Sequence, residues 1–278
     1  MNTMNRKAIW LGAALFLLAI VVVAFMVVDR AGAPEDEPDE SIETTTNELP
    51  NTDAAPETED DFDRAQHSID EPGSIWWIVN RDRPLPDGYV PPDLTVPNVR
   101  LRLESSAEQM QFRQIATPAV EAMFAAAQDD GVQLVFGSGY RSESLQRQFY
   151  ESYVARDGQA AADRYSARPG TSEHQTGLAV DVTTPNLNCH LEICFEDTPQ
   201  GQWVAENAHR YGFIIRYLEG KEAITGYQYE PWHLRYVGVE LATELHENGQ
   251  TMEEFFDVVA YYPPVLALAR LGGCTCCC

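Results

Sequence analysis

The order and length of the predicted elements place this chain in the α+β class, with a small, mainly antiparallel sheet flanked by helices. From residue 105 onward, apolar spacing and turn residues predict the order helix, strand, helix, strand, helix, strand, strand, helix. The strands are short, and the late strands follow each other closely, which is typical of antiparallel pairing. A single folded domain, residues 74–262, is expected behind an N-terminal transmembrane helix.

Residues 1–30 are the predicted membrane segment. Residues 8–28 are an uncharged apolar run, long enough to cross a bilayer as a helix. Because Arg6 and Lys7 precede the run and an acidic segment follows, the body is expected outside the cytoplasm. A cleaved signal peptide is the alternative, since residues 31–33 read Ala-Gly-Ala. The length of the run favours a single-pass anchor over secretion after cleavage near Ala33.

The chain is strongly acidic, and many of its acidic residues lie in one segment. The net charge is -24, and residues 31–63 hold thirteen Asp and Glu without Lys or Arg. This composition predicts a disordered spacer over residues 31–73, which extends by self-repulsion. A nucleic-acid partner is excluded, because such partners require a basic surface.

The body is expected to open with an irregular arm and to continue with alternating elements. Residues 74–79 are apolar, and the four prolines of residues 83–92 forbid a helix. Ser105 and Glu108 resemble a capping box that would begin the first helix, which stops at Gly131. Further helices are predicted at 142–158, 160–165, 202–211, 239–247 and 252–259, and strands at 132–136, 178–183, 213–217, 227–229 and 233–237.

Six cysteines form two groups. Cys189 and Cys194 lie in a polar insertion, residues 186–199, and can form a small local disulfide outside the cytoplasm. The other four crowd the tail, residues 263–278, where metal capture, intermolecular disulfides and a disordered end are all compatible with the sequence. These tail cysteines are Cys274, Cys276, Cys277 and Cys278.

Two stretches, residues 172–181 and 230–233, carry the residues suited to a metal. They supply two imidazoles, His174 and His233, and the carboxylate of Asp181, a set that suits an open catalytic site for one Zn²⁺ ion. The remaining histidines are expected in the spacer, in the insertion or on helices, as surface or packing residues: His67, His190, His209 and His246. Among them His190, between two cysteines, is the alternative candidate for a ligand.

The spacing within these stretches demands two breaks in regular structure. Seven extended residues would separate His174 from Asp181 by roughly 23 Å, so the chain must turn, and Thr176-Gly177 is the natural place. On a regular strand, residues three apart face opposite sides, so a bend at Pro231 is needed to bring Glu230 towards the site of His233.

This set of residues points to amide hydrolysis. A zinc ion held by two neutral imidazoles and one carboxylate lowers the pKa of bound water to about 7. Glu230 would accept a proton from that water and pass it to the leaving amine. Serine peptidases of the penicillin-binding type are excluded, because neither lysine belongs to a Ser-x-x-Lys motif.

Several separated motifs resemble the zinc D-alanyl-D-alanine carboxypeptidases of the VanY type, which are related to LD-carboxypeptidases of the cell wall. The motifs are Ser172-x-His174-x6-Asp181, Glu230-x-x-His233, Tyr140-Arg141-Ser142-x-x-x-Gln146, residues 211–217 and the arm 83–91. The resemblance implies His174, Asp181 and His233 as zinc ligands and Glu230 as the base. It also implies Arg141 as a catalytic contact and Gln146, Ser172, Tyr217 and Trp232 as substrate-binding residues.

The resemblance implies an enzyme that removes a C-terminal D-alanine from the peptidoglycan stem peptide. The protein is expected to be a monomer. Neither the sequence nor the resemblance separates a DD- from an LD-carboxypeptidase. Two alternatives stay open: a zinc-stabilised module that binds cell-wall peptide without cutting it, and an endopeptidase that cuts within the stem. Glu230 argues against the binding module, which has no need of a base beside the metal.

Overall fold

A four-stranded antiparallel sheet forms the centre of the body in the computed structural model, which describes residues 62–258. A small sheet pairs β1 (Leu94–Thr95) with β2 (Phe112–Arg113). The central sheet has the order β3-β4-β6-β5 and consists of β3 (Val135–Ser138), β4 (Ala179–Thr183), β5 (Phe213–Ile215) and β6 (His233–Tyr236). Its pairings are antiparallel throughout, which confirms the predicted α+β class.

Seven α-helices accompany the sheets in the described part of the chain. They are α1 (Thr117–Asp129), α2 (Glu143–Asp157), α3 (Gln159–Tyr165), α4 (Pro199–Asn207), α5 (Glu222–Thr225), α6 (Val239–Asn248) and α7 (Met252–Phe255). Helix α2 begins and ends as predicted, because the Ser142 hydroxyl caps the Leu145 amide and Gly158 takes a φ of +81° at the C-terminus.

The predicted start of the first helix is wrong. The Glu108 carboxylate does not close a capping box with Ser105 but accepts hydrogen bonds from the amide and hydroxyl of Ser142. The chain then pairs with β1 at Phe112, whose side chain is completely buried, and α1 begins only at Thr117. Burial of an aromatic side chain in a sheet has outweighed a local capping signal.

The two faces of the central sheet differ in chemistry. Alternate residues of β4, β5 and β6, including Val180, Val182, Phe213 and Leu234, pack with α1 and α4 in the main core. The residues between them, Asp181, His233 and Arg235, therefore project from the opposite face. One face of the central sheet thus packs on the hydrophobic core, and the other carries a buried polar site.

The ordered body begins earlier than predicted. The composition of residues 62–73 predicts a disordered spacer, but the Phe62 ring lies 5.5 Å from that of Trp76 and 5.3 Å from that of Phe255. Ile69 packs on the same cluster. Aromatic burial holds this segment on the body despite its polar composition. The predicted membrane segment, the rest of the spacer and the cysteine tail lie outside the described residues, and within residues 62–258 no helix meets the length and apolarity of a membrane span.

Candidate metal centre and active site

His174 lies in a tight turn at the predicted place. Residues Glu173–Thr176 form a single 3₁₀ turn, which ends at Gly177 with a φ of +69°. The Gly177 amide donates to the His174 carbonyl, and a Cβ here would sit 3.0 Å from the Leu94 side chain. Left-handed backbone and close approach both favour glycine. The turn brings His174 back over the strand that carries Asp181.

Asp181 is placed by pairing on both sides of β4. It is directly opposite His233 of β6 and is paired with Ser138 of β3 across a bulge. The bulge falls at Gly137, where a Cβ would approach the Asp181 carbonyl oxygen to 2.8 Å. Glycine at this position therefore lets β3 run close to the residue that offers the carboxylate.

His174, Asp181 and His233 converge on one point. Their candidate ligand atoms all lie within 4.8 Å of one another. The Asp181 Oδ1 atom is 3.3 Å from His174 Nε2 and 3.3 Å from His233 Nδ1. The two rings stand almost perpendicular, with centroids 4.8 Å apart. Each side chain thus directs one nitrogen or oxygen atom to a common centre.

The hydrogen bond of His174 assigns its bare nitrogen. His174 Nδ1 lies 2.7 Å from the Gly139 carbonyl oxygen, which can only accept, so Nδ1 carries the proton. Burial lowers the pKa of His174 to about 4, and the Arg141 guanidinium acts in the same direction, so the ring is neutral. The Nε2 lone pair then points at the centre.

These residues fit a zinc ion. His174 Nε2 and Asp181 Oδ1 are buried and, within residues 62–258, have no hydrogen-bond partner. A lone pair and a carboxylate oxygen that face each other at 3.3 Å repel unless a cation lies between them. Two imidazole nitrogens and one carboxylate oxygen are the ligand set of open, catalytic zinc sites.

Glu230 lies beside this centre but outside the ligand set. Its Oε2 atom is 3.6 Å from His233 Nδ1, and its amide donates to the Tyr217 carbonyl, which places the bend before Pro231. Burial raises the pKa of Glu230 to about 7; His233 opposes this rise and Asp181 adds to it. A carboxyl group with a pKa near neutrality is suited to both accept and return a proton.

Arg141 enters the site from the start of α2, held by Gln146. Its Nη1 atom donates to Gln146 Oε1 at 3.0 Å, while its Nη2 atom lies 3.5 Å from Asp181 Oδ2. The Gln146 amide donates in turn to the Ala167 carbonyl. The predicted pair is therefore a clamp, in which Gln146 and Asp181 both hold the guanidinium, whose other N–H groups can donate to an anion.

One cavity of about 440 Å³ contains every predicted site residue. Ser172, Tyr217 and Trp232 are buried in its wall, and Tyr217 also lies against the His233 ring at 4.9 Å. The rim includes His190 and Leu191 of the insertion. Cys189 and Cys194, for which the sequence left the bond open, form a disulfide that closes this rim segment.

Sequence reasoning missed one buried group, Glu173. This residue lies between two predicted site residues, but its carboxylate binds Arg216 and Arg235 at 2.8 Å on the far side of His233. All three side chains are completely buried. The available signal was an arginine within each of two predicted strands, 213–217 and 233–237, since a buried arginine needs a carboxylate partner.

Comparison with known proteins identifies the family of this chain. The VanY family, described as D-alanyl-D-alanine carboxypeptidase, matches residues 109–239, the span that holds all of the predicted site residues. The putative carboxypeptidase YodJ of Bacillus subtilis (strain 168) is 42% identical over 192 residues, which are 69% of this chain and 70% of YodJ.

Two solved structures resemble the body closely. The LdcB LD-carboxypeptidase is 42% identical with a TM-score of 0.64, over 68% of this chain and 88% of that one. The vancomycin-resistance D,D-pentapeptidase VanY, in complex with Zn(II), is 34% identical with a TM-score of 0.55, over 64% of this chain and 97% of that one. Sequence, fold and the residues of the metal centre lead to one conclusion: this chain belongs to the VanY family of D-alanyl-D-alanine carboxypeptidases.

Proposed function

We propose that this protein is a zinc carboxypeptidase that releases the C-terminal D-alanine of peptidoglycan stem peptides. The convergence of His174, Asp181 and His233, with Glu230 beside them, carries this proposal. The names of the relatives support it, since they are D-alanyl-D-alanine carboxypeptidases and an LD-carboxypeptidase.

Each residue then has a chemical role. When bound, zinc supplies Lewis acidity that polarises the scissile carbonyl and acidifies a water molecule. Glu230 takes the proton of the attacking water and delivers it to the departing D-alanine nitrogen. The Arg141 guanidinium is directed at the same space, where it can meet the substrate carboxylate or the oxyanion of the tetrahedral state.

The terminal carboxylate has three candidate partners in the cavity wall. Arg141 offers charge, and Ser172 and Tyr217 offer hydroxyl groups. Burial raises the pKa of Tyr217 well above its usual range, so the phenol stays protonated and can donate a hydrogen bond. Trp232 lines the wall of the cavity and takes no part in the reaction. This arrangement of donors around a bounded cavity favours a chain end over an internal bond.

Two other functions use the same residues differently. A zinc-stabilised binding module would retain the ligands but has no use for Glu230, whose pKa is raised to about 7 beside the centre. An endopeptidase would release a peptide fragment and not a single amino acid. The position of the scissile bond separates the second alternative from a carboxypeptidase.

The bond cut remains a choice between two chemistries. Removal of the last residue of a pentapeptide is the DD reaction, and removal of D-alanine from a tetrapeptide is the LD reaction. The relatives carry both names. The rim segment, residues 186–199, borders the cavity and is the part of this chain best placed to influence the choice.

We also propose that the enzyme acts outside the cytoplasm as a tethered monomer. The uncharged run at residues 8–28 and the acidic residues that follow support an anchor and a spacer that lets the body reach the cell wall. Protease protection in inside-out and right-side-out vesicles tests the orientation, and mass photometry of the detergent-solubilised protein tests the monomer.

A direct experiment tests the activity. The full-length chain is purified in detergent, loaded with zinc and given defined muropeptides that end in tetra- or pentapeptides. Mass spectrometry should show loss of one alanine from one or both substrates, and Glu230→Gln should slow that loss by at least about 100-fold. Release of a di- or tripeptide would establish the endopeptidase, and peptide binding without any cleavage would establish the binding module.

A further inference from the structure

Glu173 is buried next to one zinc ligand in sequence, yet its carboxylate faces the other ligand in space. The Glu173 Oε2 atom lies 3.6 Å from His233 Nε2. The opposite ring nitrogen, His233 Nδ1, is the atom that lies 3.3 Å from Asp181 Oδ1. The His233 imidazole therefore spans the distance between the metal centre and Glu173.

Two unpaired atoms meet on the outer side of this ring. Both His233 Nε2 and Glu173 Oε2 are buried and have no hydrogen-bond partner among residues 62–258. If Nδ1 is the bare, metal-binding nitrogen, then Nε2 must carry the ring proton. A movement of about half an ångström would bring the pair to an ordinary N–H···O distance and satisfy two atoms whose burial is otherwise costly.

The other oxygen of Glu173 is firmly held. Glu173 Oε1 accepts from Arg216 Nε and from Arg235 Nη1, both at 2.8 Å. Arg216 also makes two bonds of 2.8 and 2.6 Å to Glu253 on α7, and Asn80 donates to Glu253 at 3.1 Å. This anchoring fixes the carboxylate so that Oε2 is directed at His233.

Ion pairing alone does not account for this arrangement. The network contains two arginines and two carboxylates, so its charges balance without any contact to His233. Glu253 uses both oxygens on Arg216, whereas Glu173 leaves one oxygen directed at the ligand ring. The two glutamates are equally buried and differ chiefly in this contact, which makes Glu253 a matched control.

We propose that Glu173 is a positioning residue for the zinc centre. Its carboxylate holds the His233 ring with the proton on Nε2 and the lone pair on Nδ1. A carboxylate behind a ligand imidazole fixes the tautomer and the ring plane and raises the basicity of the ligand nitrogen. The inference rests on the zinc site of the proposed function but does not depend on which bond is cut. Through Arg216 and Glu253, it also links the metal centre to α7, the last helix among residues 62–258.

The first test compares Glu173→Gln with Glu253→Gln in the full-length protein. Zinc affinity is measured by competition with a chromophoric chelator, without any peptide. Glu173→Gln should weaken zinc binding by about 10- to 100-fold, and Glu253→Gln by no more than about threefold, although both should lower the Tm. Equal losses of zinc affinity in the two variants, or no loss in Glu173→Gln, would overturn the proposal.

A second measurement on the wild-type protein covers the case in which Glu173→Gln does not fold. Long-range ¹H–¹⁵N spectra of the zinc-loaded protein, with labelled histidine, report which ring nitrogen carries the proton. The expected pattern is a proton on Nε2 of His233 and on Nδ1 of His174. A proton on Nδ1 of His233 would refute the assigned role. Because neither readout involves turnover, failure of the proposed activity would be distinguishable from failure of this inference.

Discussion

Asp181 and His233 are directly opposed on the adjacent antiparallel strands β4 and β6, and the Asp181 Oδ1 atom lies 3.3 Å from His233 Nδ1. Cross-strand neighbours have Cβ atoms about 5 Å apart, so the hydrogen bonds of the sheet set the separation of these two ligands. Only His174 reaches the centre from a turn. Two of the three candidate ligands are therefore on strands of the sheet, whereas the position of His174 depends on the conformation of its turn.

Asp181→Asn should nearly abolish zinc binding. The substitution replaces the single anionic ligand with a neutral amide beside two imidazoles. Zinc affinity should therefore fall by more than the roughly 100-fold that is lost when a hydrogen-bond partner of a ligand is removed. Chelator competition measures the affinity. Asp129→Asn, which changes an exposed carboxylate at the end of α1, serves as the control and should bind zinc as the wild type does. Unchanged affinity in Asp181→Asn would remove this residue from the ligand set.

Glu230→Gln should lower kcat by about 10² to 10⁴ while zinc affinity and KM change by only a few-fold. Loss of a general base removes proton transfer but leaves the ligands and the pocket walls in place. Alanine release from muropeptides measures the rate. Glu222→Gln, at an exposed position in α5, should retain full activity. Substantial turnover in Glu230→Gln would assign the base to another group.

The same substitution should stabilise the zinc-free protein at alkaline pH. The pKa of Glu230 is about 7 in the folded protein and 4.5 in the reference state. The folded state therefore binds this proton more tightly, and the free energy of unfolding falls as the pH rises from 4.5 to 7 and stays lower above that. Glutamine has no charge to bury. The free energy of unfolding of Glu230→Gln should therefore exceed that of the wild type by up to about 3 kcal/mol at pH 8 and by little at pH 4.5.

Thermal unfolding of the chelator-treated protein at both pH values checks this prediction. Glu222→Gln should show no comparable change between the two conditions, because its carboxylate is exposed. A gain for Glu230→Gln that is equal at both pH values would attribute the effect to packing and not to the buried charge.

Arg141→Lys should reduce kcat/KM by about 10- to 100-fold. Lysine keeps the charge but has a single donor group, so it loses the planar fork that Gln146 orients and a charge-assisted hydrogen bond worth about 1.5–3 kcal/mol. Steady-state kinetics on the preferred muropeptide measures the loss. Arg147→Lys is the control, since Arg147 lies on α2 in a surface ion pair with Glu143; this variant should keep wild-type kinetics. Equal kinetics for both variants would exclude Arg141 from the reaction.

Removal of the disulfide with Cys189→Ser and Cys194→Ser should loosen the rim of the cavity. Closure of so short a loop contributes about 2 kcal/mol. His190 and Leu191 line the cavity from this segment, so KM should rise while zinc affinity stays the same. Reduction of the wild-type protein with dithiothreitol should reproduce the double variant. If KM is unchanged in both, the rim does not contact the substrate.

The ligand set and the breaks around it could be predicted from local sequence. His174, Gly177 and Asp181 lie within eight residues, so chain length alone demands a turn, and Gly177 adopts the left-handed conformation at that place. Helix α2 was equally predictable, because Ser142 and Gly158 cap it through local contacts. Such features depend on residues close in the chain.

Features that depend on distant residues were not predictable in this way. Glu108 matches a capping box but binds Ser142, 34 residues later, and the helix begins at Thr117 because Phe112 is buried in a sheet. Residues 62–73 resemble a spacer in composition, yet Phe62 packs on Trp76 and on Phe255, near the opposite end of the described chain. Local propensities are weak compared with the burial of aromatic side chains.

Glu173 shows the same division within the site. Its position beside His174 was visible from the chain, but its partners Arg216 and Arg235 come from two other segments, and it faces His233, 60 residues away. The chain pattern could identify which residues suit zinc, because ligand chemistry restricts the residue types. The sequence does not show which buried carboxylate contacts the His233 ring, because that depends on strand pairing. The pairing brings Arg216, Arg235 and the His233 ring to one side of the sheet.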